Sequence, residues 1–333
     1  MTTPLHADIA AALAAVARRA VRHVFLVACG GSLSVMTPGK YFLDRHSRAL
    51  ASDAYNADEF LTRSPARLGP EALVILCSQT GATRETLRAA KHAKARGALT
   101  IGMTLDLASP LAAAVDFPVA YRAPYTTGVP IDAADSNYAT LYALLAGLVK
   151  IHDGVDLLTP LLDCVGNLQK AIDRAHLRFA PIFEAYAPRY QDVSAVYTLA
   201  SGPVFGAAYS FSTCVLMEMQ RYDSQAIHAD EFFHGPFEIV DRASCFIVMI
   251  GLDETRPLAE RARDFLLKYG APENVLVLDA KELDLSGLDE RLAGYLAPLI
   301  FFDALWRFAY RLAELRRRPM LEARRYMKKI ADY

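Results

Sequence analysis

The chain has 333 residues, 53% of them hydrophobic and 22% charged, and its formal net charge at pH 7 is −1. This length and composition predict two domains, or one large α/β body, with a sizeable apolar core. A net charge so close to zero argues against nucleic acid or another polyanion as a partner. Five scattered cysteines without a C-x-x-C pair favour a reduced, cytoplasmic protein with neither disulfides nor zinc.

Membrane segments are not expected. The N-terminal segment mixes acidic and basic residues among its alanines, so it lacks the apolar core of a signal peptide. The longest apolar pattern, residues 292–312, contains Asp303, Arg307 and Arg311, which predicts a buried helix and not a membrane span. Basic residues gather between Arg316 and Lys329, where we interpret them as the solvated end of a helix and a tail.

Short apolar strands alternate with helices along the first half, which indicates βαβ units and a parallel sheet. The predicted elements are a helix over 5–20, a strand over 23–28, a helix to residue 44, strands over 49–54 and 72–77, a helix through residue 96, strands over 99–103 and 117–121, and a helix over 136–151.

The same order of elements begins again after a linker at residues 153–158. The predicted elements are a long helix to residue 186 that Pro181 and Pro188 bend or end, a strand over 193–200, a helix through residue 220, strands over 226–229 and 244–250, a helix over 255–269, a strand over 274–278, and a helix over 292–315. We therefore predict two doubly wound α/β halves, with domains at 1–155 and 156–333. Ligands of such sheets bind outside the carboxyl ends of the strands.

The turn after the apolar run 72–77 carries the most informative pattern. This run ends in Ser78-Gln79-Thr80-Gly81-Ala82-Thr83, and a helical pattern begins directly afterwards. A strand that enters a helix through such a turn builds an anion site, because free backbone N–H groups and the helix dipole point at one spot. We predict that these hydroxyls, with Ser32, bind a phosphate. The missing P-loop lysine argues against a nucleoside triphosphate, and the alternative is that Ser78 and Thr83 only cap the helix.

Glu218 and His234 are the candidates for acid–base chemistry. Glu218 lies in an otherwise apolar helical segment, where a carboxylate costs free energy unless it is paired or catalytic. From spacing alone, it is equally consistent that Glu218 faces solvent beside Arg221. His234 precedes Gly235-Pro236 on a turn, although a lone histidine is more often structural. His228, six residues earlier, does not give the H-E-x-x-H spacing, so we expect no metal site and assign His228 a structural or supporting role.

Two common enzyme motifs are missing. The sequence has no G-x-S-x-G for a hydrolase triad. It also has no G-x-G-x-x-G after a strand, because Ser32 follows Gly30-Gly31 at once. We therefore expect neither a serine hydrolase nor a dinucleotide-binding protein.

Three segments, 29–32, 78–83 and 231–236, resemble the signature turns of the sugar isomerase (SIS) domain family. Their order and spacing are similar to the isomerase half of glucosamine-6-phosphate synthase. Four further segments look more like the fructosamine (fructoselysine) 6-phosphate deglycases; they are 27–32, 216–220, 234–239 and 324–327. The resemblance covers nearly the whole chain. It implies two SIS subdomains, each a flavodoxin-like parallel sheet flanked by helices.

The resemblance also implies roles for individual residues. Glu218 and His234 match the catalytic pair of the family. The positions that match its phosphate- and substrate-binding residues are Gly31, Ser32, Ser78, Gln79, Thr80 and Thr83. A lysine near the C-terminus is either Lys328 or Lys329. The family implies a homodimer or larger homo-oligomer with sites at the interface, where the histidine can come from the neighbouring subunit. No cofactor or metal is implied.

The expected activity is cleavage of a 6-phosphorylated fructosamine, an Amadori product, to glucose 6-phosphate and a free amine. Ala82 stands where the synthase has an acidic residue, and Thr2 is not the cysteine nucleophile of an amidotransferase, so we expect no glutamine hydrolysis. Two alternatives stay open: an aminosugar-phosphate isomerase or deaminase, and a non-catalytic sugar-phosphate sensor. In the loop 125–137, Asp132, Asp135 and Asn137 suit the ammonium group of the amine part, although ordinary loop polarity explains them equally well.

Overall fold

The computed structural model describes residues 3–122, 132–322, 324–327 and 329–330. The chain divides into two compact units, Met1–Gln169 with Gly287–Leu292 and Lys170–Ser286 with Ala293–Tyr333. The domain boundary after residue 155 stays a prediction.

The helices and strands follow one another along the chain. The strands are β1 (His23–Ala28), β2 (Ala51–Asn56), β3 (Ala72–Cys77), β4 (Leu99–Thr104), β5 (Phe117–Ala120), β6 (Ala195–Ala200), β7 (Asp223–His228), β8 (Cys245–Ile250) and β9 (Val275–Asp279). The α-helices are α1 (Ala7–Val16), α2 (Gly30–His46), α3 (Ala57–Arg63), α4 (Arg84–Ala95), α5 (Pro110–Ala114), α6 (Asn137–Asp153), α7 (Leu158–Tyr190), α8 (Phe205–Ser210), α9 (Arg256–Tyr269) and α10 (Glu290–Leu315). A π-helix, Phe211–Gln220, continues directly from α8.

The sheet of the first unit is parallel and has the strand order β2-β1-β3-β4-β5. β1, β3 and β4 are buried along their whole length, as expected of continuous apolar runs covered on both faces. Strand order reverses between β1 and β3, where Ala28 pairs with Cys77. The turns that follow these two strands therefore lie side by side at the carboxyl edge, where doubly wound sheets bind ligands.

The sheet of the second unit repeats this plan with the parallel order β7-β6-β8-β9. Its core packs Phe232 and Phe246 against Ile250 and Leu266. Arg256 donates two hydrogen bonds to Asp279, with Nη1–Oδ1 at 2.7 Å and Nη2–Oδ2 at 2.5 Å. Burial favours the neutral carboxyl, but the bonds from Arg256 outweigh it and lower the pKa of Asp279. The predicted fold class, two parallel sheets flanked by helices, is confirmed.

Several predicted elements differ from the structure. α7 continues through Pro181 and Pro188, whereas the sequence indicated that these prolines bend or end it near residue 186. Aromatic packing of Phe183 and Tyr190 on Phe308 stabilises the last turns of this helix, beyond the point where the prolines were expected to end it. β7 begins three residues before the predicted strand, and α3 and α5 were not predicted.

α10 corresponds to the longest apolar pattern of the sequence. Within the described residues, it is the helix that is long and apolar enough to cross a membrane, with a mean hydropathy of 1.3 over its most apolar window. In the structure 83% of that window is buried, which is typical of a core helix.

Candidate active site

The turn between β3 and α4 in the first unit has the geometry of an anion site. Ser78 is buried, and its hydroxyl lies 2.9 Å from the hydroxyl of Thr83. Thr83 is the residue before α4, yet its side chain makes no capping hydrogen bond to that helix. The alternative of a helix cap is therefore wrong for Thr83. The pair instead stands at the positive end of the helix dipole, where an anion is stabilised.

Gly81 gives this turn its shape. Its φ of +64° lies in the left-handed region, and a Cβ atom here would lie 2.1 Å from Oγ of Ser109 and 2.9 Å from Oγ1 of Thr104. Its N–H donates to the carbonyl of Ser78 at 3.0 Å, and its own carbonyl accepts from the N–H of Leu111 at 2.9 Å. Because a side chain does not fit and the φ disfavours one, glycine is required here.

The remaining predicted residues of the first unit lie on the same edge of the sheet. Gln79 is in the turn, and its carbonyl accepts from the N–H of Leu105 at 3.1 Å. Thr80 is exposed, with Oγ1 accepting from the N–H of Ala82 at 3.3 Å. Gly31 lies in the first turn of α2, where its carbonyl accepts from the hydroxyl of Ser34 at 2.6 Å.

Ser32 contacts two acidic groups that stay neutral. Burial raises the pKa of the Cys77 thiol to about 11, although hydrogen bonds with Ser32 and Tyr121 lower it in part. Burial, followed by the neighbouring Cys77, raises the pKa of Tyr121 well above its usual value. Neither group carries a negative charge near neutral pH, so neither repels an anion bound in the adjacent turn.

In the second unit, Glu218 lies on the π-helix and is paired. Arg324 donates from Nη1 to Oε1 of Glu218 at 3.0 Å. The two side chains are 16% exposed for Arg324 and 21% exposed for Glu218. The alternative that Glu218 faces solvent beside Arg221 is therefore wrong. A charge-assisted hydrogen bond fixes one carboxylate oxygen, as a positioned general base requires.

His234 lies on an exposed turn of the second unit. It separates two short 3₁₀ segments, Glu231–Phe233 and Pro236–Ile239, and its N–H donates to the carbonyl of Glu231 at 3.0 Å. Gly235 follows with a φ of +134°, a value that favours glycine. His228 does not share this exposure: it packs on Phe205 with ring centroids 5.6 Å apart, in keeping with a structural role.

For Lys328, Lys329 and Asn137, the structure shows only local contacts or no described position. Lys329 is exposed, and its Nζ donates to the carbonyl of Glu322 at 3.1 Å. Lys328 lies outside the described residues, as do residues 125–131 of the predicted amine-binding loop. Asn137 opens α6, and its Oδ1 accepts from the N–H of Tyr138 at 2.9 Å.

The structure offers neither a metal-ligand cluster nor a disulfide within the described residues. In the described ranges, no group of three or more His, Cys, Asp or Glu residues could hold a metal ion. None of the five cysteines forms a disulfide; Cys77, Cys164 and Cys245 are buried, and Cys29 and Cys214 are half-buried. In the turn 78–83, hydroxyls and backbone amides can donate hydrogen bonds to an anion, and in the second unit one carboxylate and one imidazole can exchange protons.

Comparison with known proteins shows which family this chain is similar to. The model of the SIS domain matches residues 19–149. Fructosamine deglycase FrlB of Bacillus subtilis (strain 168) is 43% identical over 99% of this chain and 98% of its own length. Fructoselysine 6-phosphate deglycase of Escherichia coli (strain K12) is 28% identical over 89% of this chain and 83% of its own length.

This chain belongs to the SIS domain family.

A solved structure supports the same membership. A Bacillus subtilis chain provisionally described as a phosphosugar isomerase superposes with a TM-score of 0.93 at 42% identity, covering 97% of each chain. The part matched by the SIS model contains the whole turn 78–83, and the similarity to the two deglycases continues through the second unit. The predicted resemblance is confirmed.

Sequence reasoning missed the partner of Glu218. The C-terminal arginines were interpreted as a solvated end and tail, and this is wrong for Arg316, Arg318 and Arg324, which are half-buried and bonded to the end of the π-helix. A signal was present, because Arg324 lies in one of the four segments that resemble the deglycases. That resemblance said nothing of what the arginine contacts.

Gly81→Ala tests whether the turn 78–83 of this SIS protein binds an anion. We expect the substitution to weaken binding of glucose 6-phosphate by at least about tenfold, because the new Cβ would displace Ser109 and force an unfavourable φ. Isothermal titration calorimetry measures the affinity. Gly69→Ala is the matched control, since its Cβ would meet nothing nearer than 4.0 Å. Unchanged affinity in Gly81→Ala would remove this turn from the phosphate site.

Proposed function

We propose that this protein is a fructosamine 6-phosphate deglycase. It cleaves a 6-phosphorylated fructosamine with water to glucose 6-phosphate and a free amine or amino acid. The observation that carries the proposal is the similarity to a fructosamine deglycase, 43% identical over 99% of this chain. The geometry also supports the proposal. The turn 78–83 suits a phosphate, and the π-helix of the second unit holds the carboxylate of Glu218 in position for proton transfer.

The phosphate of the substrate binds at the turn between β3 and α4. Hydroxyls of Ser32, Ser78, Thr80 and Thr83, with Gln79 and the backbone at Gly31, supply the hydrogen bonds. This group does not react, so its binding energy serves to orient the reacting carbons of the sugar. Near the C-terminus, Lys329 or Lys328 also contributes to substrate binding.

Glu218 moves a proton between two carbons of the open-chain sugar. Its carboxylate takes a proton from C1 of the fructosamine, and the electrons of that C–H bond form an enaminol as the C2 carbonyl oxygen takes up a proton. Return of the proton to C2 leaves a Schiff base between C1 and the amine nitrogen. Water adds to C1, the C–N bond breaks, and the amine departs with a proton. The substrate's own carbonyl accepts the electrons, so no cofactor is needed.

His234 opens the sugar ring before this step. It donates a proton to the ring oxygen while the C2 hydroxyl loses one, which gives the open-chain ketone that Glu218 requires. We also propose that the protein is a cytoplasmic homodimer, or a larger homo-oligomer, in which the neighbouring subunit supplies this histidine. The exposure of the His234 side chain supports the second point, because a residue that serves a second copy must lie at the surface.

The residue that binds the amine part of the substrate is a separate proposal. Asn137, at the start of α6, binds the amine part of the substrate. In this region Nε2 of His6 lies 3.4 Å from Oδ1 of Asp135, and Oδ1 of Asp132 accepts from the N–H of Ala134 at 2.9 Å. Local contacts engage one side-chain oxygen of each of these three residues, and we propose Asn137, which opens α6, as the contact to the amine part.

A coupled assay for glucose 6-phosphate tests the activity. The purified protein is given a panel of 6-phosphofructosyl amino acids, with fructose 6-phosphate and ammonia as the control. We expect release of glucose 6-phosphate from at least one fructosamine, and the ranking across the panel identifies the amine. Aminosugar phosphate formed in the control, with none of the panel cleaved, would indicate an isomerase. No turnover of either would leave a sugar-phosphate sensor.

Glu218→Gln tests the base. We expect kcat to fall by about 10²–10⁴-fold while the affinity for glucose 6-phosphate is kept, because the amide cannot accept the proton but the phosphate turn is untouched. Steady-state kinetics and calorimetry measure the two quantities. Glu273→Gln, an exposed residue of the same unit, is the matched control. Near-normal turnover in Glu218→Gln would show that another group is the base.

His234→Gln tests ring opening. We expect a loss of about 10²-fold or more in kcat on the natural substrate. A 5-deoxy substrate lacks the hydroxyl that closes the ring and is open-chain from the start, so the variant should turn it over as fast as the unaltered protein does. An equal loss on both substrates would assign His234 to a later step.

A further inference from the structure

The helix that carries Glu218 has an unusual form. Residues Phe211–Gln220 form a π-helix of ten residues, which ends at Arg221 with a φ of +55°. π-helices are rare, and those that occur are frequently found at functional sites. Their wider turn needs support at the ends, because the last carbonyl groups have no partner within the helix.

The C-terminal segment supplies that support. Gln220 is fully buried, and its carbonyl accepts from Nη1 of Arg316 at 2.7 Å and from Nη1 of Arg318 at 2.9 Å. Its side-chain amide donates to the carbonyl of Arg318 at 3.1 Å. Arg316 also lies over the ring of Tyr222, with the guanidinium carbon 3.8 Å from the centroid. These contacts fix both the end of the π-helix and the course of the C-terminal segment.

Arg324 extends this arrangement to the carboxylate itself. Its Nε donates to the carbonyl of Leu321 at 3.0 Å, which holds the guanidinium plane, and its Nη1 donates to Oε1 of Glu218 at 3.0 Å. Among the described residues, Oε2 of Glu218 has no hydrogen-bond partner. One oxygen is therefore tethered and the other is available to exchange a proton.

We infer that Arg324 is a positioning residue for proton transfer by Glu218. It holds Oε1, so that the carboxylate keeps one orientation while Oε2 moves the proton from C1 to C2. A freely rotating carboxylate would spend most of its time in unproductive orientations, and displacements of about 1 Å at a reacting group lower rates by about 10²-fold. This inference rests on the proposed function, because the transferred proton is that of the deglycase reaction.

Three substitutions test the positioning role. Arg324→Gln removes the ion pair, Arg324→Lys keeps the charge but loses the planar guanidinium, and Arg325→Gln removes a charge from the exposed neighbouring residue as the matched control. We expect Arg324→Gln to lower kcat by about 10²-fold with KM changed less than about threefold. Arg324→Lys should recover part of that loss, and Arg325→Gln should match the unaltered protein. A raised KM at unchanged kcat would overturn the inference in favour of substrate binding.

Arg324→Gln is also made in a Glu218→Gln background. This double variant shows whether Arg324 affects kcat through Glu218 or independently of it. We expect Arg324→Gln to cause no further loss of kcat there, since a positioning residue has nothing left to position. A full additional loss would overturn the inference. Thermal unfolding of each variant verifies folding, and if Arg324→Gln does not fold, Arg324→Lys carries the comparison.

Failure of the proposed function is distinguishable from failure of this inference. If the unaltered protein cleaves no fructosamine 6-phosphate, the function is wrong, whatever the variants do. The pair is then tested through the melting temperatures of the two single variants and the double variant. Non-additive shifts support a direct Glu218–Arg324 interaction, and additive shifts overturn it.

Discussion

Parallel pairing of strands in register is the constraint on which the candidate site depends. β1 and β3 pair residue for residue from His23 with Ala72 to Ala28 with Cys77, so both strands end at the same level. The first turn of α2, which contains Ser32, and the turn 78–83 therefore lie close together, although they are far apart along the chain. In the second unit, β6 and β8 pair in the same way, from Val196 with Cys245 to Leu199 with Val248. The fold thus offers one such edge in each unit.

The two edges differ in charge. After β6, Gly202 adopts a φ of +58°, much as Gly30 adopts +54° after β1. After β8, however, the turn holds Asp253, whose Oδ1 accepts from the N–H of Thr255 at 2.9 Å and from its hydroxyl at 2.6 Å. A carboxylate here takes hydrogen-bond donors that an anionic ligand would need, and it repels that ligand. The turn 78–83 has no charged side chain, which favours the first unit as the one that binds phosphate.

Much of the fold could be predicted because buried parallel strands are continuous apolar runs. The bounds of β1 and β3 agree with the sequence pattern at every residue. The π-helix could not be predicted, because the local sequence shows only an apolar helical pattern, and the hydrogen bonds to the carbonyl at its end come from Arg316 and Arg318, 96 and 98 residues later. For the same reason, the pairing of Glu218 with Arg324, 106 residues later, has no signature in spacing. Local sequence indicated that the carboxylate needed a partner, but not which residue supplies it.

In the proposed function, different residues bind the phosphate and transfer the proton, and this separation has a chemical reason. Substrate and product of the proposed reaction carry the same phosphate, so tight binding of that group alone stabilises ground state and transition state equally and slows product release. A turn built from hydroxyls, an amide and backbone N–H groups binds phosphate without a side-chain charge of its own, which limits such uniform binding. Discrimination in favour of the transition state then has to come from groups that meet C1 and C2. In the proposed function, the neutral donors are those of the turn 78–83 and the charged pair is that of Glu218 and Arg324, an assignment that meets both requirements.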